Sequence, residues 1–261
     1  MTLHTLVDEL PAEFLPFKAN ILASAKPVIN IALRVADGLP LWASKIGGNQ
    51  PYLPKNVDYP TDKYGRPLGF LAQFNLADLP ANDHLPKTGM LVFFTNFDDG
   101  KVLYFDEVIQ DDTALWQDFD GLGVDTDDLP FFDVVAFAPT FTLTESAISF
   151  TEDKVFDVIF ANHTLSEQEL DELGDKIYDL PIFNSAGHHL LGYPYLTQSD
   201  PRAYQNGDVP QDYVLLFQLD TDDVDGYGIM WGDGGVGNFF IHPDDLAKGD
   251  FSRVKFYWDC C

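Results

Sequence analysis

Apolar residues recur at helical spacing near the start of the chain. Phe14, Phe17, Ile21 and Leu22 fall on one face of residues 11–25, with Pro11 suited to a helix start and Pro27 to its end. This pattern predicts an N-terminal helix over 11–25. The next segment, Val28 to Val35, is apolar and β-branched, which predicts a strand. From Trp42 to Pro67 the chain is crowded with Gly and Pro, yet Trp42, Ile46, Tyr52, Leu53 and Tyr59 are too apolar for a loose linker. An ordered, turn-rich segment packed on the core is expected there. Strand patterns follow at Leu68 to Leu76, Gly89 to Thr95, Lys101 to Ile109, Phe131 to Phe137 and Phe141 to Phe150, with Asp98-Asp99-Gly100 as a hairpin turn. Ser166 and Glu169 match a capping box ahead of Leu170, Leu173 and Ile177, which predicts a second helix. Beyond Pro181 the chain returns to turns and strands and ends on an apolar run from Phe251 to Trp258.

Two stretches of this pattern resemble each other. Pro51-Tyr-Leu aligns with Pro194-Tyr-Leu, Phe70-Leu-Ala-Gln73-Phe with Leu215-Leu-Phe-Gln218-Leu, and Gly89-Met-Leu-Val with Gly228-Ile-Met-Trp. The offsets are 143 (194 − 51), 145 (218 − 73) and 139 (228 − 89). Three matches in the same order predict an internal duplication, with halves near 41–150 and 184–261 inside a single domain spanning 1–261. The fold class expected is α+β: β-rich, two related halves packed as one globule with a few peripheral helices. Gln73 and Gln218 are polar residues inside apolar runs. If buried, both ends of each amide need partners, and a structural bond to nearby backbone is favoured over a ligand role.

Composition narrows the function classes. With 42 acidic against 15 basic residues the net charge is −27, which repels nucleic-acid phosphates and anionic lipid headgroups. A basic protein, a polycation or a metal ion is the more natural partner, and neither nucleic acid nor membrane is expected to bind. No apolar run approaches the ~18 residues of a membrane span. The first ten residues lack a basic start and are broken by Asp8 and Glu9, so no signal peptide is expected. The two cysteines, Cys260 and Cys261, are adjacent and poorly placed to pair with one another, which fits a reducing cytoplasm.

No motif carries chemistry at a trustworthy spacing. Gly232-Asp-Gly234-Gly-Val-Gly237 has the letters of a dinucleotide fingerprint, but Asn238 to Ile241 reads as a strand where a helix is needed. Asp220 to Gly226 resembles a calcium loop, yet Gly232 stands where a bidentate Glu belongs, so an acidic hairpin is favoured. His188 and His189 would point to opposite faces of a strand and chelate poorly. Accordingly no catalytic residue, metal ligand or cofactor is assigned. The scarce cations are more informative: Lys45 and Arg66 lie in the first turn-rich segment and Arg202 in the second. A candidate binding cleft between the halves would hold Trp42, Lys45, Gln73, Arg202, Gln218, Trp231 and Asp233.

Trp42-Ala-Ser-Lys45-Ile-Gly47-Gly48, Pro51-Tyr-Leu-Pro54, Phe70-Leu-Ala-Gln73-Phe-Asn-Leu, Gly89-Met-Leu-Val-Phe-Phe94, Gly228-Ile-Met-Trp231-Gly232-Asp233 and Asp250-Phe-Ser-Arg253 to Cys260 together resemble the YwqG-like family of bacterial proteins, a domain of unknown function. The region from about 110 to 185 carries none of the resemblance. It implies an α+β cytoplasmic bacterial protein and supplies no catalytic residue. Members resemble residents of gene neighbourhoods shared with toxin–immunity systems. With the acidic charge, that implies a non-catalytic module binding a basic, toxin-like protein. The alternative is an enzyme or small-molecule binder using the inter-repeat cleft.

Overall fold

The computed structural model describes residues 2–204 and 207–260. In chain order its elements are helix α1 (Leu3–Asp8), a 3-10 turn (Ala12–Phe17) running into α2 (Lys18–Ala23), strands β1 (Lys26–Val35), β2 (Lys45–Gly47), β3 (Gly69–Asn75), β4 (Met90–Thr95), β5 (Gly100–Phe105) and β6 (Ala136–Ser146), helices α3 (Val155–Ile159) and α4 (Glu167–Ile177), strands β7 (His188–Leu191), β8 (Val214–Asp220), β9 (Asp222–Val224), β10 (Tyr227–Ile229) and β11 (Val236–Ile241), helix α5 (Pro243–Lys248) and strand β12 (Lys255–Asp259). Ten strands form one antiparallel sheet in the order β12-β11-β8-β7-β1-β6-β2-β3-β4-β5, and β9 with β10 forms a separate hairpin. Among the described residues no helix is long and apolar enough to cross a membrane.

The interior aromatic contacts require this sheet to curl. β8 and β3 are five strands apart, so in a flat sheet they would stand ~24 Å from each other at ~4.8 Å per strand. Instead the rings of Phe74 (β3) and Phe217 (β8) are 5.0 Å apart, and Phe93 (β4) lies 5.1 Å from Phe239 (β11). The two edge strands then meet side by side. Gly100 opens β5 against Phe256 of β12 so closely that a Cβ would stand 2.3 Å from the Phe256 Cβ, and the Trp258 indole donates to the Phe97 carbonyl at 3.0 Å. The result is a nearly closed barrel whose last seam is made by side chains, β5 being laddered to β4 and β12 to β11.

The strand order reads alike from either edge. β2, β3, β4 and β5 on one side of the central β1–β6 pair occupy the places of β7, β8, β11 and β12 on the other. Backbone detail follows the same correspondence. The chain leaves β2 through Gly47 and Gly48 with φ of 69° and 79°, and leaves β7 through Leu191 and Gly192 with φ of 64° and 76°. Leucine adopts the left-handed region at a steric cost that glycine escapes, so this turn is held by its surroundings. The match of Gly89 with Gly228 does not fit the topology. Gly228 lies in β10, outside the ten-stranded sheet, and the partner of β4 by position is β11, preceded by Gly235. The β9–β10 hairpin is inserted between β8 and β11 and displaces the letters.

Elsewhere local rules explain both agreement and difference. The capping box forms as expected, with Ser166 accepting from the Glu169 backbone N–H and Glu169 returning to the Ser166 N–H at 2.9 Å. The helix expected over 11–25 is instead a 3-10 turn followed by the short α2, because Pro16 lacks an N–H and disfavours the α conformation at Leu15. The strands expected at 131–137 and 141–150 are replaced by one strand, β6, with Pro139 inside it. There β1 is its only neighbour, since β2 reaches just Ala136 and Phe137, so a missing N–H is tolerated.

Gln73 and Gln218 are fully buried. Gln73 donates to the carbonyls of Leu41 (2.6 Å) and Ala43 (2.7 Å) and accepts from the Tyr52 N–H (2.6 Å). Gln218 donates to Ser185 (2.9 Å) and Gly187 (2.8 Å) and accepts from Tyr195 (2.7 Å). Each amide therefore ties both arms of a turn-rich segment to the sheet. Replacing Gln73 with Ala removes the partner of the Tyr52 N–H and of the Leu41 and Ala43 carbonyls, and replacing Gln218 removes that of the Tyr195 N–H and the Gly187 carbonyl, the Ser185 carbonyl keeping His189 Nε2 at 3.1 Å; each change is expected to lower unfolding stability by about 3 kcal/mol in urea titrations. A loss below about 1 kcal/mol for both variants would show that these amides are dispensable.

Candidate functional site

The segment from Trp116 to Val135 crosses the outer side of the barrel and walls off a cavity of 880 Å3. Its wall and floor carry six aromatic side chains, Tyr59, Phe70, Phe97, Phe119, Phe131 and Phe132. Three carboxylates, Asp120, Asp127 and Asp133, line it and are exposed, and among the described residues no Lys or Arg does. Main-chain pairing positions the wall: Phe131 bridges Ile229, and the Met230 N–H donates to the Pro130 carbonyl at 2.7 Å. Gly228 admits the Phe132 ring, since a Cβ there would stand 2.7 Å from it. The Tyr59 ring is fixed edge-on to Phe94 (5.7 Å between centroids) and its hydroxyl donates to the Leu68 carbonyl at 2.9 Å. Burial also holds the Tyr59 phenol in its protonated form by raising its pKa.

Phe97 joins this cavity to the barrel seam. It occupies the β4–β5 turn with φ of 63°, an unusual conformation for a bulky residue. Its ring lies 5.5 Å from Trp231 and 4.9 Å from Trp258. Beside the mouth, Asp128 has its pKa raised by burial and by the neighbouring carboxylates of Asp125, Asp98 and Asp127, with Arg66 opposing. The field at the opening is therefore negative, and the walls are aromatic. That combination attracts a cation with an apolar stem, by charge at the rim and by the ring quadrupoles inside.

None of Trp42, Lys45, Gln73, Arg202, Gln218, Trp231 and Asp233 lines this cavity or the smaller one near α5. The two glutamines hold backbone, as described above. Arg202 is buried in a two-pronged pair with Asp200 (2.9 and 2.7 Å) and a bond to Glu152 (2.6 Å), over the Phe240 ring. Burial opposes its charge, but Asp200 and Glu152 outweigh that and hold its pKa above the ordinary value. Trp231 is fully buried, Trp42 is half-buried, and Asp233 is exposed in the turn after Trp231. The residues sequence reasoning missed are Phe97, Phe119, Phe131 and Phe132. For Phe119, Phe131 and Phe132 the signal was the density of Phe and Asp in a region matching no motif, and for Phe97 its place beside the Asp98-Asp99-Gly100 turn.

The remaining constellations are structural. Gly237 lies in β11, so the glycine-rich run leads into a strand. Asp222 to Ile229 forms the acidic hairpin, turning through Asp225 and Gly226 with φ of 55° and 87°. His188 accepts from the Asp220 N–H at 3.0 Å through Nδ1 and contacts Asp222 at 3.2 Å through Nε2, and burial lowers its pKa despite that carboxylate. His189 is wholly enclosed, with Nδ1 2.9 Å from the Leu191 carbonyl and Nε2 3.1 Å from the Ser185 carbonyl; burial pushes its pKa down to about 4, so the neutral ring donates its single N–H to one of the two. Among the described residues no group of three or more His, Cys, Asp or Glu is arranged to hold a metal ion. Cys260 is a free thiol, and Cys261 lies outside the described residues.

Lys45 is different. It is 4% exposed, and its ammonium has neither an ion-pair nor a hydrogen-bond partner among the described residues. Burial pushes its pKa down to about 8. Since the unfolded chain holds that proton up to pH ~10.4, the folded state gains stability as pH rises from about 8 towards 10. Below pH 8 the buried charge costs stability throughout. Lys45→Met is therefore expected to raise stability at pH 7 by on the order of 2 kcal/mol, with the gain shrinking towards pH 10, as read by urea unfolding across that range. A gain independent of pH would argue against a buried, unpaired ammonium.

No curated protein matches the chain. The family described as Domain of unknown function (DUF1963) matches residues 44–260, which takes in the turn-rich segments from Ser44 onward, both glutamines and the whole aromatic cavity, and the chain belongs to that family.

Proposed function

We propose that the protein is a non-catalytic binding module for a basic protein, and that its aromatic cavity receives a cationic side chain of that partner. The observation that carries this reading is the cavity of 880 Å3, with six aromatic side chains, three exposed carboxylates and no cation on its walls. The net charge of −27 supplies long-range attraction for the same class of partner. Phe132 and Val134 stand 70% and 66% exposed and give the mouth an apolar rim. The finer resemblance to YwqG-like bacterial proteins supports a cytoplasmic setting and an immunity-type role. The palindromic strand order supports descent of the two halves from a duplicated unit.

A second reading has one observation in its favour. A volume of 880 Å3 falls within the range of pockets for free small molecules, so an organic cation could occupy the cavity alone. Titration with hexalysine and with tetramethylammonium, followed by amide NMR, separates the two. The binding-module reading predicts saturable shifts at Gly121, Gly123 and Phe132 with the peptide, weakening as salt rises from about 50 to 500 mM. Phe132→Ala should weaken peptide binding about threefold to tenfold, the worth of one cation–π contact. Saturation by tetramethylammonium with no gain for the peptide would transfer the site to small cations. Shifts spread evenly over the acidic surface, unaffected by Phe132→Ala, would refute a cavity site of either kind.

A further inference from the structure

A second, smaller cavity of 310 Å3 lies between the start of β1, the end of β7, β8 and α5. Its position is related to that of the large cavity by the palindromic strand order. Gly48 and Phe70 line the large cavity where the chain leaves β2 and enters β3. Gly192 and Leu215 line the small one where it leaves β7 and enters β8. Phe97 after β4 is matched by Pro243 after β11, and Met230 ahead of β11 by His84 ahead of β4. Equivalent places in the barrel thus both open into space. The small cavity, however, carries different chemistry.

Its walls are mostly aliphatic, with Pro27, Leu191, Val214, Leu215, Pro243 and Leu246 around the space. Of the charged residues that line it, Asp83 is already paired with Lys87 at 3.0 Å. Lys26 has no ion-pair or hydrogen-bond partner for its ammonium among the described residues, and rests 3.8 Å from the centroid of the Tyr193 ring. Burial lowers its pKa, with the nearby Glu152 opposing and Arg202 reinforcing that shift. A half-buried cation at an apolar wall favours a ligand that brings one negative charge on an apolar body. Phosphate would call for several donors, and among the described residues Lys26 is the one lysine or arginine that lines this space, with the His84 imidazole as a further lining group. The volume holds roughly ten water-sized groups at ~30 Å3 each.

We propose that this cavity is a second ligand site that takes a small aliphatic carboxylate, its carboxylate held by the Lys26 ammonium and its chain lying against Leu215 and Leu246. The inference is independent of the cationic site: it concerns other residues and a ligand of opposite charge. The test is an amide NMR titration of the full chain with sodium hexanoate at pH 7, with hexanol as the uncharged counterpart. Hexanoate is expected to give saturable shifts at Leu191, Gly192, Leu215 and Ala247, and hexanol to bind about tenfold more weakly, as does hexanoate to Lys26→Gln. Ala247→Phe, a change at an exposed position on the wall, should abolish the shifts while leaving the thermal unfolding midpoint in place. Equal affinity for hexanoate and hexanol, or an unchanged affinity in a folded Lys26→Gln variant, overturns the role of the carboxylate. The absence of any saturable shift at these residues at millimolar hexanoate overturns the site itself.

Discussion

Two buried amides hold the irregular parts of this protein to its regular part. Each glutamine spends both amide hydrogens and its oxygen on main chain, two carbonyls on one arm of a turn-rich segment and one N–H on the other. Backbone in such segments has no ladder to satisfy it, and burying it unpaired is costly. The amides remove that cost and fix where the segments run. The first segment delivers Gly48, Asn49 and Tyr59 to the large cavity, and the second delivers Gly192 to the small one. Both candidate sites therefore depend on an interaction that touches neither.

Charge is distributed with similar economy. Three of the four arginines, Arg66, Arg202 and Arg253, are paired with carboxylates of low exposure, Asp62, Asp200 and Asp245, while Arg34 is exposed on β1 and in no ion pair among the described residues. The three pairs fasten loops and engage those three cations. Lys26 and Lys45 stand apart, both shielded and both without an acidic partner within bonding reach. Lys26 faces a space and Lys45 does not, which is why the former carries a ligand proposal and the latter a statement about stability. Most of the acidic excess lies on the surface, where carboxylates repel one another and favour a cationic visitor.

Much of the fold was legible in the sequence. Apolar, β-branched and aromatic runs located β1, β3, β4 and β5, and Ser166 with Glu169 located the start of α4. The two glutamines were visible as polar letters in apolar runs, and their structural role followed from hydrogen-bond satisfaction. Other features were hidden for identifiable reasons. Pro16 let the hydrophobic spacing mimic one helix where the chain makes two short turns of different pitch. The seven residues expected at a cleft were chosen for scarcity and not for proximity; none of them lines either cavity, and Arg202 is engaged by Asp200 and Glu152. The cavity that does form draws on Tyr59, Phe97, Phe119 and Met230, segments far apart in sequence that only the curl of the sheet brings together.

The curl closes through side chains at its last step, and this has a mechanical consequence. A ladder of backbone bonds resists shear along its whole length, whereas the join between β5 and β12 depends on Phe256 against Gly100 and on one indole-to-carbonyl bond between Trp258 and Phe97. The barrel thus has one zip that can part without breaking any strand pairing, and Phe97 is both a tooth of that zip and part of the cavity wall. Whatever presses on the Phe97 ring from within the cavity leans on the indoles of Trp231 and Trp258. The native fluorescence of those two tryptophans is accordingly a strain gauge, built into the seam, for the filling of the cavity beside it.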